Sequence, residues 1–375
     1  MITIRPGSHT QKVIELLSAA GEFPWRSLDV LGNERSIKAL IHRLTSVQEF
    51  RFGKDESVHT GKLLQITGKG ELRTIRFYKA ALPILETLHP DALSYYLNAF
   101  NNHKFPGDSF HKWRNHRVAE AIAICQASGI EFLPYSLPAL QKDEIKLITP
   151  DSSCFYIARD LKKVDLLELN KTMYTRIVGA LFYSGGCYAV YNTRNAVMKW
   201  NGNGEIKAAE HLASIARMNA GISEAKSAIL LGKDQNVALN TLTQSDKSQR
   251  KETPFYKLYP HIHFAPMNKD GIKLLRVLTT PNWNEKLLEA LFEDATRSHG
   301  SGFMEYDAYD DGKYILSHLD GDIARLIRFR DALDIYDERC EVLCYPWQVE
   351  FLKEYLGKRV TLGLIEPEVI ENLLI

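Results

Sequence analysis

Apolar residues near the start of the chain recur at helical spacing. Val13, Leu16, Leu17 and Ala20 fall on one side of a helix expected over 10–20, with Thr10 as its N-cap and Gly21 as its stop. An apolar turn follows at 25–31. Gly32-Asn33 then breaks the chain, and Asn33 can cap the next helix. In that helix, 34–45, Ile37, Leu40, Ile41 and Leu44 stand at i, i+3, i+4 and i+7 and predict a buried stripe. Arg35, Lys38 and His42 lie on the opposite side, with Arg43 beside them. Two strand-like runs, 47–52 and 63–67, are expected to pair as a hairpin whose loop carries Lys54, His59 and Lys62. Helix, helix, helix and hairpin is the order of a winged helix-turn-helix. A third helix with an apolar back and a cationic front suits insertion into a DNA major groove.

The pattern then changes twice. Residues 80–128 read as helical with a break near 105–108, and His111, Lys112, Arg114, His116 and Arg117 make the front of the last helix basic. Short apolar runs at 144–148, 154–157, 176–182 and 187–191 read as strands, followed by a helix at 205–218 and a strand at 228–231. Residues 240–253 are polar and read as a linker. Beyond them, strands at 261–266, 314–319, 341–345 and 359–365 alternate with helices at 269–278, 285–294, 321–333 and 348–356. The fold class expected is α/β with three segments. These are a winged helix over 1–80, a helical connector with an α/β domain over 81–240, and an acidic α/β region over 254–375.

Charge sharpens this picture. The net charge is only +1, yet residues 1–79 hold 13 Lys and Arg against 8 Asp and Glu, while residues 281–375 hold 10 against 20. A basic front fits a polyanionic partner, double-stranded DNA, and an acidic rear fits solvent or a basic protein. The five cysteines are odd in number and scattered, which suits reduced thiols in a cytoplasm. No apolar signal core opens the chain and no run reaches the roughly 18 residues of a membrane span, so neither export nor a membrane partner is expected. A homodimer is compatible with the winged-helix reading, although no heptad seam predicts one.

Three stretches resemble the replication-relaxation family of plasmids and integrative mobile elements: the LQITGKG ending at 64–70, HRVAEAIAICQASGIE at 116–131, and CYAVYNTRNAVMKWNGNGEIKAAEHLASIARMNAG at 187–221. The resemblance spans about residues 10–235. It implies a role in replication or transfer of a mobile element. It also implies a central domain similar to the PD-(D/E)XK, or restriction-endonuclease-like, fold, in which carboxylates on a sheet bind Mg²⁺ or Mn²⁺. Asp151 stands where the first acid would be, and Glu120 on the preceding helix could assist. Tyr191 and Asn192 occupy the place of the second acid and cannot neutralise a metal, so the domain is expected to lack catalysis and cofactor.

Two rivals to non-catalytic DNA binding follow. One is a metal-dependent nickase or nuclease. It would use Asp151 with Glu120, or His261 with His263, which share one face of a strand as in nucleases that attack with a tyrosine, here Tyr306 or Tyr309. The other is a winged-helix transcriptional regulator. No phosphate-binding P-loop, zinc ligand pair or Ser-His-Asp grouping is found in the sequence.

Overall fold

The structure is a computed structural model that describes residues 1–52, 58–88, 90–100, 103, 105, 109–132, 152–162, 176–198, 202–220, 222, 225–243, 255–297 and 304–374. It begins with β1 (Ile2–Ile4) and α1 (His9–Ala20). Ser8, not Thr10, caps α1 by accepting the Gln11 amide, and Thr10 is buried. The turn after α1 needs a left-handed residue, and Gly21 supplies it at φ +78°. Next come β2 (Glu22–Pro24), a 3₁₀ turn at Trp25–Leu31, and α2 (Glu34–Leu44). The Asn33 side chain accepts the Ser36 amide at 3.2 Å, as its position before α2 predicts.

The hairpin expected between 47–52 and 63–67 does not form. Instead β3 (Gln48–Phe52) pairs with β4 (Val58–Gly61) and with β1, in a sheet of order β1-β3-β4. The second run, β5 (Leu64–Thr67), pairs antiparallel with β6 (Thr74–Phe77), and β6 pairs with β2. The physical reason lies in the next few residues. Thr74-Ile75-Arg76-Phe77 alternates as a strand, and the intervening Gly68 and Gly70 take φ +76° and +55°, so a tight turn closes 64–67 onto its downstream neighbour.

Three helices follow: α3 (Leu82–Leu88), α4 (Pro90–Phe100) and α5 (Ser109–Ala127). The five-stranded sheet is built from β7 (Cys154–Ile157), then the one-turn α6 (Ala158–Leu161), β8 (Gly179–Tyr183), β9 (Gly186–Arg194), α7 (Gly202–Ala220), β10 (Ser227–Gly232), α8 (Gln235–Thr243) and β11 (His261–Pro266). Its order is β11-β10-β9-β8-β7, with an antiparallel β7-β8-β9 meander and parallel β9, β10 and β11. Both faces of this sheet are apolar. Phe155, Leu181, Tyr188, Val190, Ile229 and Leu231 face one core, while Cys154, Phe182, Tyr191, Ala228, Leu230 and Phe264 face another. Such a sheet must be covered on both sides. On the first side α5 packs against β9 and β7, and its far side packs against α1, β2 and the 25–31 turn. The strand read at 144–148 lies outside the described residues; of the linker read at 240–253, residues 240–243 belong to α8 and the rest lie outside the described residues.

After β11 the chain forms α9 (Lys269–Leu278), α10 (Trp283–Leu291), β12 (Ala308–Asp310), β13 (Lys313–Ser317), α11 (Ile323–Leu333), β14 (Cys340–Cys344), α12 (Val349–Leu356), β15 (Val360–Leu364) and α13 (Pro367–Leu374). The last sheet has the order β12-β13-β14-β15, with only β12 antiparallel. Structure therefore crosses the sequence boundary at 254, because β11 completes the central sheet while β12–β15 form one of their own. The molecule is mixed α/β. Among the described residues no helix is long and apolar enough to cross a membrane, and all five cysteines are buried free thiols.

Helix α9 starts hard against the end of β11, and Gly271 permits this. A Cβ there would lie 1.7 Å from the Pro266 carbonyl oxygen, a backbone atom that cannot swing aside. Gly271→Ala is therefore expected to destabilise the protein by about 1–3 kcal/mol, the range for overpacking. A shift of that size in the urea unfolding midpoint checks it.

Candidate nucleic-acid interface

Helix α2 is held by its aliphatic stripe. Ile37, Ile41 and Leu44 are buried, and each fully buried aliphatic side chain contributes about 1.5–3 kcal/mol. Arg35, His42 and Arg43 are exposed, and Lys38 is half-exposed and paired with Glu34 one turn earlier. An exposed pair of this kind is worth little, so the Lys38 ammonium can exchange its partner for a phosphate at small cost. All four cationic residues expected on this helix thus stand on its outer face.

The expected loop residues are divided. Lys54 lies outside the described residues. His59 is half-buried on β4 opposite Phe50, and Lys62 is exposed just after that strand. The turn that lies next to α2 is a different one, the β5–β6 tip at 68–73. From its base the Arg73 guanidinium sits 4.1 Å from the centre of the Trp25 ring, a cation–π contact. On its other side Trp25 meets His42 edge-on with centroids 5.4 Å apart. Trp25 thus joins the tip, with exposed Lys69, to the cationic face of α2. Reasoning from sequence missed Trp25, Lys69 and Arg73. The signal was present in the paired glycines followed by an alternating run.

Asp151 lies outside the described residues, so its proposed partnership with Glu120 rests on Glu120 alone. Glu120 is 2% exposed. Its Oε1 accepts the Ser27 hydroxyl at 2.7 Å and Arg194 Nε at 3.1 Å, and its Oε2 accepts Asn192 Nδ2 at 3.1 Å. The carboxylate is committed to protein donors. Tyr191 points to the opposite face of β9, bonded to Glu205 and Tyr259. His116, expected on the basic front of α5, is wholly buried. Burial first, then Arg194 and Lys112, lower its pKa to about 3, so it is neutral.

His261 and His263 do share a face of β11, with near-parallel rings 6.4 Å apart. Ligand atoms of His263, Asp320 and Asp322 lie within 4.8 Å of one another. Both Asp322 oxygens, Asp320 Oδ1 and His263 Nδ1 already hold hydrogen-bond partners. Asp322 Oδ1 accepts the Ile262 and Arg325 amides, its Oδ2 pairs with His261 Nδ1 at 2.8 Å, and His263 Nδ1 meets the Asp320 carbonyl at 3.0 Å. This is a latch between the central sheet and the β13–α11 connection. Asp322 also caps α11, as a turn followed by a helix start predicts. Tyr306 and Tyr309 pack on Tyr314 beside the β12–β13 hairpin rather than on a helix.

Burial alone would raise the Asp322 carboxyl, but the His261 hydrogen bond and the nearby imidazoles outweigh it and hold the carboxyl well below its usual range. The same hydrogen bond, against burial, raises His261. Burial pushes Asp320 up.

Neither a family model, nor a curated protein, nor a solved structure matches the chain.

The latch predicts a pH dependence. A raised His261 stabilises the fold fully below its unfolded value of about 6.5 and loses that contribution as pH rises through the folded value. Asp322 contributes above its unfolded value of about 4 and loses its share as pH falls through the folded value. Stability attributable to the pair is therefore greatest between these limits. The urea midpoint of the wild type should exceed that of His261→Gln most at pH 5, and this difference should shrink as pH rises to 9, whatever the buried histidines contribute to both proteins.

Proposed function

We infer that the protein binds double-stranded DNA without catalysis of its own, reading the major groove with Arg35, Lys38, His42 and Arg43 of α2. The carrying observation is the division of α2 into a buried aliphatic stripe and an uncovered cationic face. Such a face does nothing for the core, and its charges are useful only against an anion. On this reading residues 1–80 are a winged helix whose wing is the β5–β6 tip. Lys69 and Arg73 would touch phosphate or minor groove there, while Lys62 and His59 lie on the other hairpin. The order α5, β7-β8-β9 meander, α7, β10 supports a nuclease-like scaffold, with Glu120 tied to Asn192 and Arg194 where a metal site would need free carboxylates. A role in replication or transfer of a mobile element follows from the sequence resemblance, and a transcriptional role would use the same α2 surface.

A duplex selected from a random pool provides the test. Lys38→Ala and His42→Ala should each weaken the selected duplex by about 1–3 kcal/mol and random duplex by less, measured by fluorescence anisotropy. Equal losses on both would reduce α2 to a phosphate contact, and unchanged affinity would remove DNA from its role.

The metal-dependent nickase makes the opposite forecast. Supercoiled plasmid incubated with the protein and Mg²⁺ or Mn²⁺ should stay supercoiled on an agarose gel. Relaxed product that disappears in Glu120→Gln would restore the catalytic reading.

A further inference from the structure

On the acidic half of the chain, exposed aromatic rings and exposed carboxylates meet on one surface. It lies on the outer hairpin of the last sheet, where β12 is the edge strand. Asp311 and Gly312 take φ +45° and +70°, so a two-residue turn closes β12 onto β13 and fixes their register. In that register Tyr309 stands opposite Tyr314, and residues so paired share a face of the sheet. Tyr314 packs on the rim of the core that holds Leu316, Leu333 and Cys340. Tyr306 meets Tyr314 edge-on with centroids 5.0 Å apart, and Tyr309 leans on it at 4.8 Å. Tyr309 is 48% exposed, and the other two rings are partly open to solvent. The Tyr314 amide donates to the Arg339 carbonyl at 2.9 Å, which ties the loop at 335–339 to the hairpin. That loop adds Ile335, an exposed apolar side chain.

The charge beside the rings is mostly negative. Asp310 and Asp311 are exposed on the hairpin, and Asp337 and Glu338 on the loop. None of these four makes an ion pair among the described residues. Desolvation first, and the Glu338 carboxylate next, raise the Tyr314 phenol, so that charge is felt at the ring. Neighbouring carboxylates differ in being taken: Glu305 and Asp307 by Arg325, Asp334 by Arg330, and Glu341 by Lys313. Arg339 is the one exposed cation within 309–314 and 335–339, and it opposes the acids.

This chemistry narrows the occupant. Clustered carboxylates repel phosphate, which excludes nucleic acid. Tyrosine faces attract cations through their ring quadrupoles. A guanidinium can lie on such a face while its N–H groups reach a carboxylate beside it. Tyrosine and arginine are also the residues enriched where protein interfaces hold most of their energy. We propose that the β12–β13 hairpin and the 335–339 loop dock a cationic, arginine-bearing segment of a partner protein, with its side chains over Tyr309 and paired to the flanking carboxylates. The proposal goes beyond DNA binding by α2 and does not depend on it.

The test uses the full chain with a fluorescent Arg-Gly repeat peptide and its citrulline counterpart, which keeps the shape and loses the charge. Anisotropy at about 0.15 M salt screens distant charges and reports the contact. The wild type should bind the arginine peptide and not the citrulline one. Tyr309→Ala and the pair Asp310→Asn/Glu338→Gln should each weaken binding by about fivefold or more. Tyr309→Phe keeps the ring face and should keep the affinity, while Arg339→Gln removes the opposing charge and should raise it. Lys38→Ala should leave the peptide unaffected. Melting temperatures of these surface variants should match the wild type's, which separates lost binding from lost folding. Unchanged affinity in Tyr309→Ala overturns the proposal. An equal loss from Glu350→Gln/Glu354→Gln on α12 also overturns it, since the peptide would then report only a diffuse field. Self-association of the protein alone that disappears in Tyr309→Ala, seen by analytical ultracentrifugation, would give the surface to a second copy and overturn it as well.

Discussion

Helix α5 is the element on which the rest of the molecule leans. The central sheet is apolar on both faces, and α5 covers one of them while its own far side receives α1, β2 and the turn at Trp25–Leu31. From Ala119 to Cys125 every residue is buried, so this half of the helix has no solvent face at all. The one charge within that run, Glu120, is acceptable only because it is fully paired. Taking a carboxylate out of water costs several kcal/mol unless donors replace the solvent. Ser27 supplies one donor from the N-terminal segment, and Asn192 and Arg194 supply the others from β9. A single buried carboxylate thus joins three parts of the chain that are far apart in sequence. The same commitment removes it from metal chemistry.

Much of the local structure was legible because its causes are local. The stripe Ile37, Ile41 and Leu44 with Asn33 before it specifies α2, and the bounds expected for β11 and α9 coincide with those observed. Asp322 reads as a cap because a short acceptor before an apolar run satisfies free amides wherever it occurs. Strand partners are a different matter. The run at 47–52 could pair with any neighbour of suitable face, and β4, a short and half-exposed VHTG, carries no hydrophobic alternation to announce itself. His116 shows the same limit from the other side. Its sequence neighbours are basic and its own type is polar, yet tertiary packing buries it completely.

The charge asymmetry of the chain now has a physical arrangement. The exposed cations of α2 and the β5–β6 tip form one positive surface. The acidic C-terminal half spends many of its charges internally. Arg325 takes both Glu305 and Asp307, and Arg328 shares Glu305, so part of that excess negative charge serves to fix β13 and α11 in place. Asp320 and Asp322 are likewise buried in the latch to β11. Net charge near zero conceals this separation, in which exposed positive groups remain on α2 and at the β5–β6 tip.

Proximity measured directly decides whether α2 meets DNA. A photoreactive phenylalanine analogue at Ala39, exposed in the middle of the cationic face, can be irradiated with a labelled duplex, and the same analogue at Ile335, exposed after α11, serves for comparison. A covalent protein–DNA adduct from position 39 and none from position 335 is the outcome this account predicts. Adducts from position 335 with none from position 39 would contradict it.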